Sequence, residues 1–308
     1  MLTAPILVAS DTTHGADAAI RTARALAAVA GAPVSVVSVL HSLPFVAGGM
    51  AMSTPEVCMP LDPSVEAALR GERRSRVQEQ LRRLGAPDDW RVDIRVGAPA
   101  SEIADAAREL GAGLLVVGLT PHTLLDRFLG RENALAIVRA SPVPVLAVAA
   151  ELGTAPRRIV VGVDFTPASL SAAHAAFAFA GSRAMVQLLH VRESGERATE
   201  VFAEWYAKYQ SALDGDFALL ESQIEVPSGI LVEHATLDGR VARKLLERAE
   251  QWDAELVVVT AHGGGFLRRL VVGSVTSEII RRATRPVLVV PASTARLHAG
   301  EHRTVVAF

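Results

Sequence analysis

The 308-residue chain contains one cysteine, Cys58, and two lysines, Lys208 and Lys244. A single thiol cannot close a disulfide within the chain or build a thiolate zinc cluster, and it suits a reducing compartment. Strong charge of either sign is missing too. The formal net charge is −2, with 14 arginines against 16 acids in residues 1–152 and 17 bases against 17 acids in 153–308. Neither half has the electrostatic footprint of a nucleic-acid binder or of a protein held on an anionic membrane. Apolar runs such as Val143 to Ala150 fall well short of the roughly 20 residues that a spanning helix needs. The opening MLTAPILVASD lacks a basic start and meets Asp11 too early for a secretory signal. The expectation is a globular, cytoplasmic protein with no nucleic-acid and no membrane partner.

Familiar catalytic motifs are absent as well. A Walker loop needs Gly-Lys-Ser/Thr, and neither lysine follows a glycine. A dinucleotide fingerprint needs GxGxxG after the first strand, where the chain has Thr12-Thr-His-Gly15 and Phe165-Thr-Pro-Ala168. There is no GxSxG elbow and no HExxH pair. A receiver domain would need a lysine near its fifth strand, and none is there. Met50, Met52, Cys58 and Met59 gather soft donors that could suit Cu(I), but the same residues also make a flexible apolar flap. The nine histidines show no metal-ligand spacing.

What the chain does have is a repeat. Pro5-Ile-Leu-Val-Ala-Ser-Asp11 returns 153 residues later as Arg158-Ile-Val-Val-Gly-Val-Asp164. Val34 to His41 is echoed by Ala184 to His190. Gly113-Leu-Leu-Val-Val-Gly118 and Pro144-Val-Leu-Ala-Val return at an offset of 142 as Glu255-Leu-Val-Val-Val-Thr260 and Pro286-Val-Leu-Val-Val. A tandem duplication follows, with domains at 1–152 and 153–308. Near-continuous β-branched runs alternate with Ala-rich helical stretches, the pattern of parallel strands covered on both faces. Helices are expected at 18–30, 62–84, 101–110, 133–140, 170–180, 240–252 and 275–283. The stretches 62–84 and 196–222, the latter with Trp205, Tyr206 and Tyr209, are expected as surface elements. The fold class is two tandem, open, five-stranded parallel α/β domains of Rossmann-like type. They are related by a pseudo-two-fold and paired within the chain through their terminal strands; homodimerisation of whole chains stays open.

Such sheets bind ligands beyond the carboxyl ends of their strands. There the second half carries Thr260-Ala-His262-Gly263-Gly264-Gly265, followed by Gly273-Ser274-Val275-Thr276 at a helix start. Glycines let backbone amides approach an anion, and the helix N-terminus with its Ser274 and Thr276 hydroxyls suits phosphate. A simple turn with Ser274 as N-cap uses the same residues.

These residues resemble the universal stress protein family over 4–149 and 157–292. The likeness rests on Asp11 and Asp164, His41 and His190, Gly97-Ala-Pro99, the closing Pro-Val-Leu-x-Val of each half, and the pattern Gly-x2-Gly-x9-Gly-Ser/Thr. Thr260 stands where the strict pattern has Gly. The resemblance implies that Asp164 faces the adenosine end, with the Val163 and Leu189 backbone near the base and Gly263, Gly273, Ser274, Val275 and Thr276 around the phosphates. The ligand implied is ATP or a related adenine nucleotide, with Mg2+ as an optional companion. In the first half Asp11, Gly118 and Gly130 are kept. Pro121 replaces Gly263, Asp126 enters the loop, and with Gly130 aligned to Gly273 the loop is one residue shorter and Arg131 replaces Ser274. This is expected to be a degenerate site. The expected function is a nucleotide-gated stress-response regulator or scaffold without fast turnover. The alternatives are a slow ATPase and a nucleotide-free interaction module.

Overall fold

The computed structural model describes residues 4–41, 62–119, 126–193, 203–261 and 272–291, with the backbone alone at 126–130 and 203–211. The soft-donor group at 50–59, Pro121, His122 and the loop residues His262, Gly263, Gly264 and Gly265 lie outside the described residues. So do the side chains of Asp126, Trp205, Tyr206 and Tyr209.

In the first half, β1 (Ile6–Ala9), β2 (Val34–Leu40), β3 (Arg91–Val96), β4 (Leu114–Gly118) and β5 (Val145–Val148) alternate with α1 (Asp17–Ala30), α2 (Pro63–Arg83), α3 (Pro99–Leu110) and α4 (Asp126–Ala140). The second half repeats the order. Its strands are β6 (Arg158–Gly162), β7 (Met185–Arg192), β8 (Leu231–Asp238), β9 (Leu256–Thr260) and β10 (Val287–Val290). Its helices are α5 (Pro167–Phe179), α6 (Ala203–Ser222), α7 (Val241–Gln251) and α8 (Ser274–Arg282). All pairs within a half are parallel, and the two expected five-stranded sheets merge into one of ten strands, ordered β3-β2-β1-β4-β5-β10-β9-β6-β7-β8.

The join is antiparallel, pairing Val287 with Ala147, Leu288 with Leu146 and Val289 with Val145. Adding the repeat offset of 142 to the first-half residues turns this register into itself, so a pseudo-two-fold axis passes through Leu146 and Leu288. Left open, two apolar edge strands would invite pairing with other chains.

Because side chains alternate across a strand, the two faces of the sheet receive different residues. Ile6, Val8, Ile159 and Val161 point into the layer closed by α1, α2, α5 and α6. Leu7, Leu115, Val160 and Val257 point into that of α3, α4, α7 and α8. The central strands are buried on both sides, which is why their sequences read as unbroken apolar runs.

Three expectations need correction. α3 and α5 start two or three residues early because Pro99 and Pro167 occupy the first turn, where proline loses no useful N–H. α4 starts at Asp126, seven residues before the expected start. α2 and α6 also do more than cover the surface: Val77, Gln80 and Leu81 of α2 and Phe217 of α6 are buried.

Candidate functional site

The first structural feature beyond β1 and β6 is a sharp turn. Thr12 and Phe165, the residues after the strand-ending aspartates, have φ values of 67° and 59°. This left-handed region is costly for a bulky residue such as Phe. In both halves the aspartate side chain holds the turn. Asp11 Oδ1 accepts from Thr13 N–H (2.9 Å) and Oγ1 (2.6 Å), and Asp164 Oδ1 accepts from Thr166 N–H (3.1 Å) and Oγ1 (2.6 Å). Asp164 is clamped further by Ser169, whose hydroxyl donates to Oδ1 at 2.9 Å and accepts from the Asp164 N–H at 3.0 Å. Both carboxylates remain exposed. Asp164 thus closes an Asx turn with its own chain. Ser169 was missed, its only signal being a hydroxyl five residues after the aspartate.

Next to the turn, the Val163 N–H donates to the Leu189 carbonyl (3.0 Å), and His190 Nδ1 donates to the Val163 carbonyl (2.9 Å). His190 thus ties the end of β7 to the end of β6. Phe165 packs against it at 4.7 Å between centroids and edge-on against Phe217 at 4.9 Å; Phe217 in turn stacks on His234 at 4.5 Å. This aromatic row gives α6 a part in shaping the turn.

Across the crevice, α8 begins at Ser274 with Gly273 as its N-cap and no side-chain cap. Ser274 is therefore the first helical residue, not the cap. The Gly273 N–H is taken by the Ala261 carbonyl, and the first helical bond runs from Ser277 N–H to the Gly273 carbonyl. The N–H groups of Ser274, Val275 and Thr276 consequently have no acceptor among the described residues. Thr276 is buried and spends its one hydroxyl proton on the Thr260 carbonyl at 2.8 Å, so this hydroxyl anchors the helix and is not available to donate to a phosphate. Ser274 is exposed.

In the first half the turn after β1 lies against the end of the neighbouring strand. A single turn of 3-10 helix, His14–Ala16, lies against the end of β4. A Cβ on Gly118 would fall 2.1 Å from the Gly15 carbonyl oxygen. Gly118 is thus a glycine because the backbone of the turn crosses it, not to admit a ligand. α2 holds the turn down: Gln80 Nε2 donates to the Thr13 carbonyl (2.8 Å) and to Asp17 Oδ1 (2.7 Å), and it receives Ser10 Oγ at 2.6 Å through Oε1. Arg83 bridges both Asp17 oxygens at 2.8 and 2.9 Å, and His14 Nδ1 donates to Oδ2 at 3.0 Å. Gln80 was not among the expected residues, and nothing local in the sequence marks it.

The helix ends coincide at the offset of 142, which corrects the alignment of the loops. No residue is missing, Arg131 stands opposite Gly273, and Glu132 stands opposite Ser274. Gly130 lies inside α4, not at a helix start. Arg131 turns away to the carbonyls of Ile280, Arg281 and Ala283 in the other half.

A family model described as the universal stress protein family matches residues 3–149 and 156–291. The chain belongs to the universal stress protein family. As a universal stress protein it is a stress-response protein, and curated relatives agree in organisation. One universal stress protein of Mycolicibacterium smegmatis is 28% identical over 304 residues, covering 92% of this chain and 96% of that one. Another, from Mycobacterium tuberculosis H37Rv, is 28% identical over 204 residues, covering 64% of this chain and 67% of that one. A solved universal stress protein from Archaeoglobus fulgidus shares the fold with a TM-score of 0.62 at 16% identity, covering 93% of this universal stress protein and 96% of that chain. No helix among the described residues is long and apolar enough to cross a membrane, and no group of three metal-ligating side chains occurs among them.

Proposed function

We propose that the second half binds ATP or a related adenine nucleotide in the crevice between the ends of β6 and β9 and the start of α8. The chain then acts as a nucleotide-gated regulator or scaffold in the stress response, without fast turnover. The observation that carries this is the uncapped start of α8, whose three first-turn N–H groups have no acceptor among the described residues and whose positive dipole end carries an exposed serine. Gly263, Gly264 and His262 supply the rest of the phosphate cradle, and Gly273 lets the chain enter the helix without a side chain over the phosphates. Asp164 and the Val163–Leu189 backbone take the nucleoside end. Mg2+ is an optional companion of the nucleotide, and the polyphosphate would hold it. The first half holds no nucleotide, since the Gly15 turn occupies its crevice and Glu132 replaces the serine. The function is exercised in the cytoplasm with the two halves of the chain paired.

Binding an anion this way gives affinity, and the loop carries no Walker lysine to drive transfer. Titration calorimetry of the full chain with MgATP tests the proposal. One site is expected. Removing an amide donor to a charged oxygen costs roughly 1.5–3 kcal/mol, so Gly263→Pro should weaken binding about 10- to 150-fold. Two sites of equal strength, or intact binding in Gly263→Pro, would overturn the assignment. Phosphate release near 1 s⁻¹ would put the chain among ordinary ATPases instead.

A further inference from the structure

The last turn of a helix leaves carbonyls without amide partners, and those of α8 are served from the other half of the chain. Arg131, on α4, donates through Nη1 to the carbonyls of Ile280 (3.0 Å) and Arg281, and through Nη2 to that of Ala283 (3.2 Å). Its neighbour Glu132 accepts from Arg281 Nε at 2.6 Å and Nη2 at 3.2 Å, a two-point pair. Those hydrogen bonds hold the Glu132 carboxyl below its ordinary range and raise the Arg281 guanidinium. At its other end α8 is fastened to its own half by Gly273 N–H on the Ala261 carbonyl and by Thr276 on the Thr260 carbonyl. The helix is nine residues long, about 13 Å at 1.5 Å per residue, so both anchors act on one short rigid rod.

Among the described residues, the grip of Arg131 on the end of α8 has no counterpart from α8 onto the last carbonyls of α4. The pseudo-two-fold carries Arg131 onto Gly273 and Glu132 onto Ser274, and neither has a charged group with which to grip α4. The two positions that open α8 in the second half correspond, in the first, to the two that grip the partner helix. The guanidinium also sits at the negative pole of α8, where a cation favours the helix without weakening the positive pole at the opposite end.

We propose that Arg131 and Glu132 are positioning residues for the nucleotide site of the second half. They hold α8 by its C-terminal end so that its first-turn N–H groups stay aimed at the crevice. The proposal rests on the nucleotide assignment made above.

The test uses the full chain, MgATP calorimetry and amide hydrogen exchange, all well below the melting temperature. Arg131→Met removes the donors at similar length, and Arg131→Lys keeps the charge but not the fork. ATP affinity should fall roughly 2- to 30-fold in Arg131→Met, with Arg131→Lys in between. Exchange at Ser277 to Arg282 should quicken in the same order. Glu132→Arg should also weaken binding, and adding Arg281→Glu should restore part of it, which a general loss of stability would not do. Binding by the native chain that is unchanged within twofold in Arg131→Met overturns this proposal alone, as does unaltered exchange in α8. Failure of the native chain to bind ATP overturns the nucleotide assignment and this proposal with it.

Discussion

Gly118→Ala is a single added methyl group whose surroundings are fully specified. The new carbon would lie 2.1 Å from the Gly15 oxygen and 2.9 Å from its carbonyl carbon, whereas carbon and oxygen in contact sit about 3.3 Å apart. The turn would have to retreat by about 1 Å. It is not free to do so: Gly15 N–H is held by Thr13 Oγ1 at 3.2 Å, Ala16 N–H by the Thr13 carbonyl at 3.2 Å, and that carbonyl by Gln80 at 2.8 Å. Overpacking of this kind costs about 1–3 kcal/mol, and a stretched hydrogen bond adds about 1. With each kcal/mol worth about 2–4 °C in a domain of this size, the melting temperature of the first half should fall by about 4–16 °C. Scanning calorimetry of the full chain measures this, with Gly153→Ala as the control, because a Cβ there meets nothing within 4 Å. A Gly118→Ala chain melting within 1 °C of the control would mean that the turn does not press on β4.

Two further outcomes follow from the core and from Asp17. Leu288, fully buried on the pseudo-two-fold, should cost about 2–5 kcal/mol as Ala in urea unfolding, and a loss below about 1 kcal/mol would mean that the joint between the halves is loosely packed. Burial pushes the Asp17 carboxyl up, but hydrogen bonds from His14, Gln80 and Arg83 and the Arg83 charge outweigh it and hold the pKa below 3.8. A depressed carboxylate adds stability that is present above its unfolded pKa and lost as pH falls through its folded one. The native chain should therefore lose stability more steeply below about pH 4 than Asp17→Asn does; equal slopes in urea titrations at pH 4 and pH 2.5 would remove the cluster from that role.

The fold was legible because its determinants are local. Unbroken β-branched runs mark strands buried on both faces, and their repetition at fixed offsets marks the duplication. The strand-ending aspartates were legible for the same reason, since the groups they hold lie two residues ahead. The pairing of the terminal strands was legible too, but the long-range hydrogen bonds made by side chains escaped. Gln80 meets Ser10 across 70 residues, and Arg131 reaches Ile280 across 149. Arginine looks alike in sequence whether it faces a phosphate or a ring of carbonyls. Aligning Gly130 with Gly273 made sense by residue type, yet the helix had begun earlier, and identical glycines fell on different turns. Thr276 shows the same limit from the other side, because its hydroxyl was foreseen at the right place but with the wrong partner.

The antiparallel junction of β5 and β10 has a consequence for how such a chain can change. A homodimer built on the same axis carries every substitution twice, so exchanging the serine at the helix start for a gripping glutamate would change both copies together. With the two copies on one polypeptide, each mutation falls on one side only. One copy is then free to give up its ligand and become a fixed support, while the other keeps the ligand and gains a rigid frame. The ten-stranded sheet looks symmetric in its backbone, but Arg131 and Glu132 reach across the junction where Gly273 and Ser274 carry no charge to match.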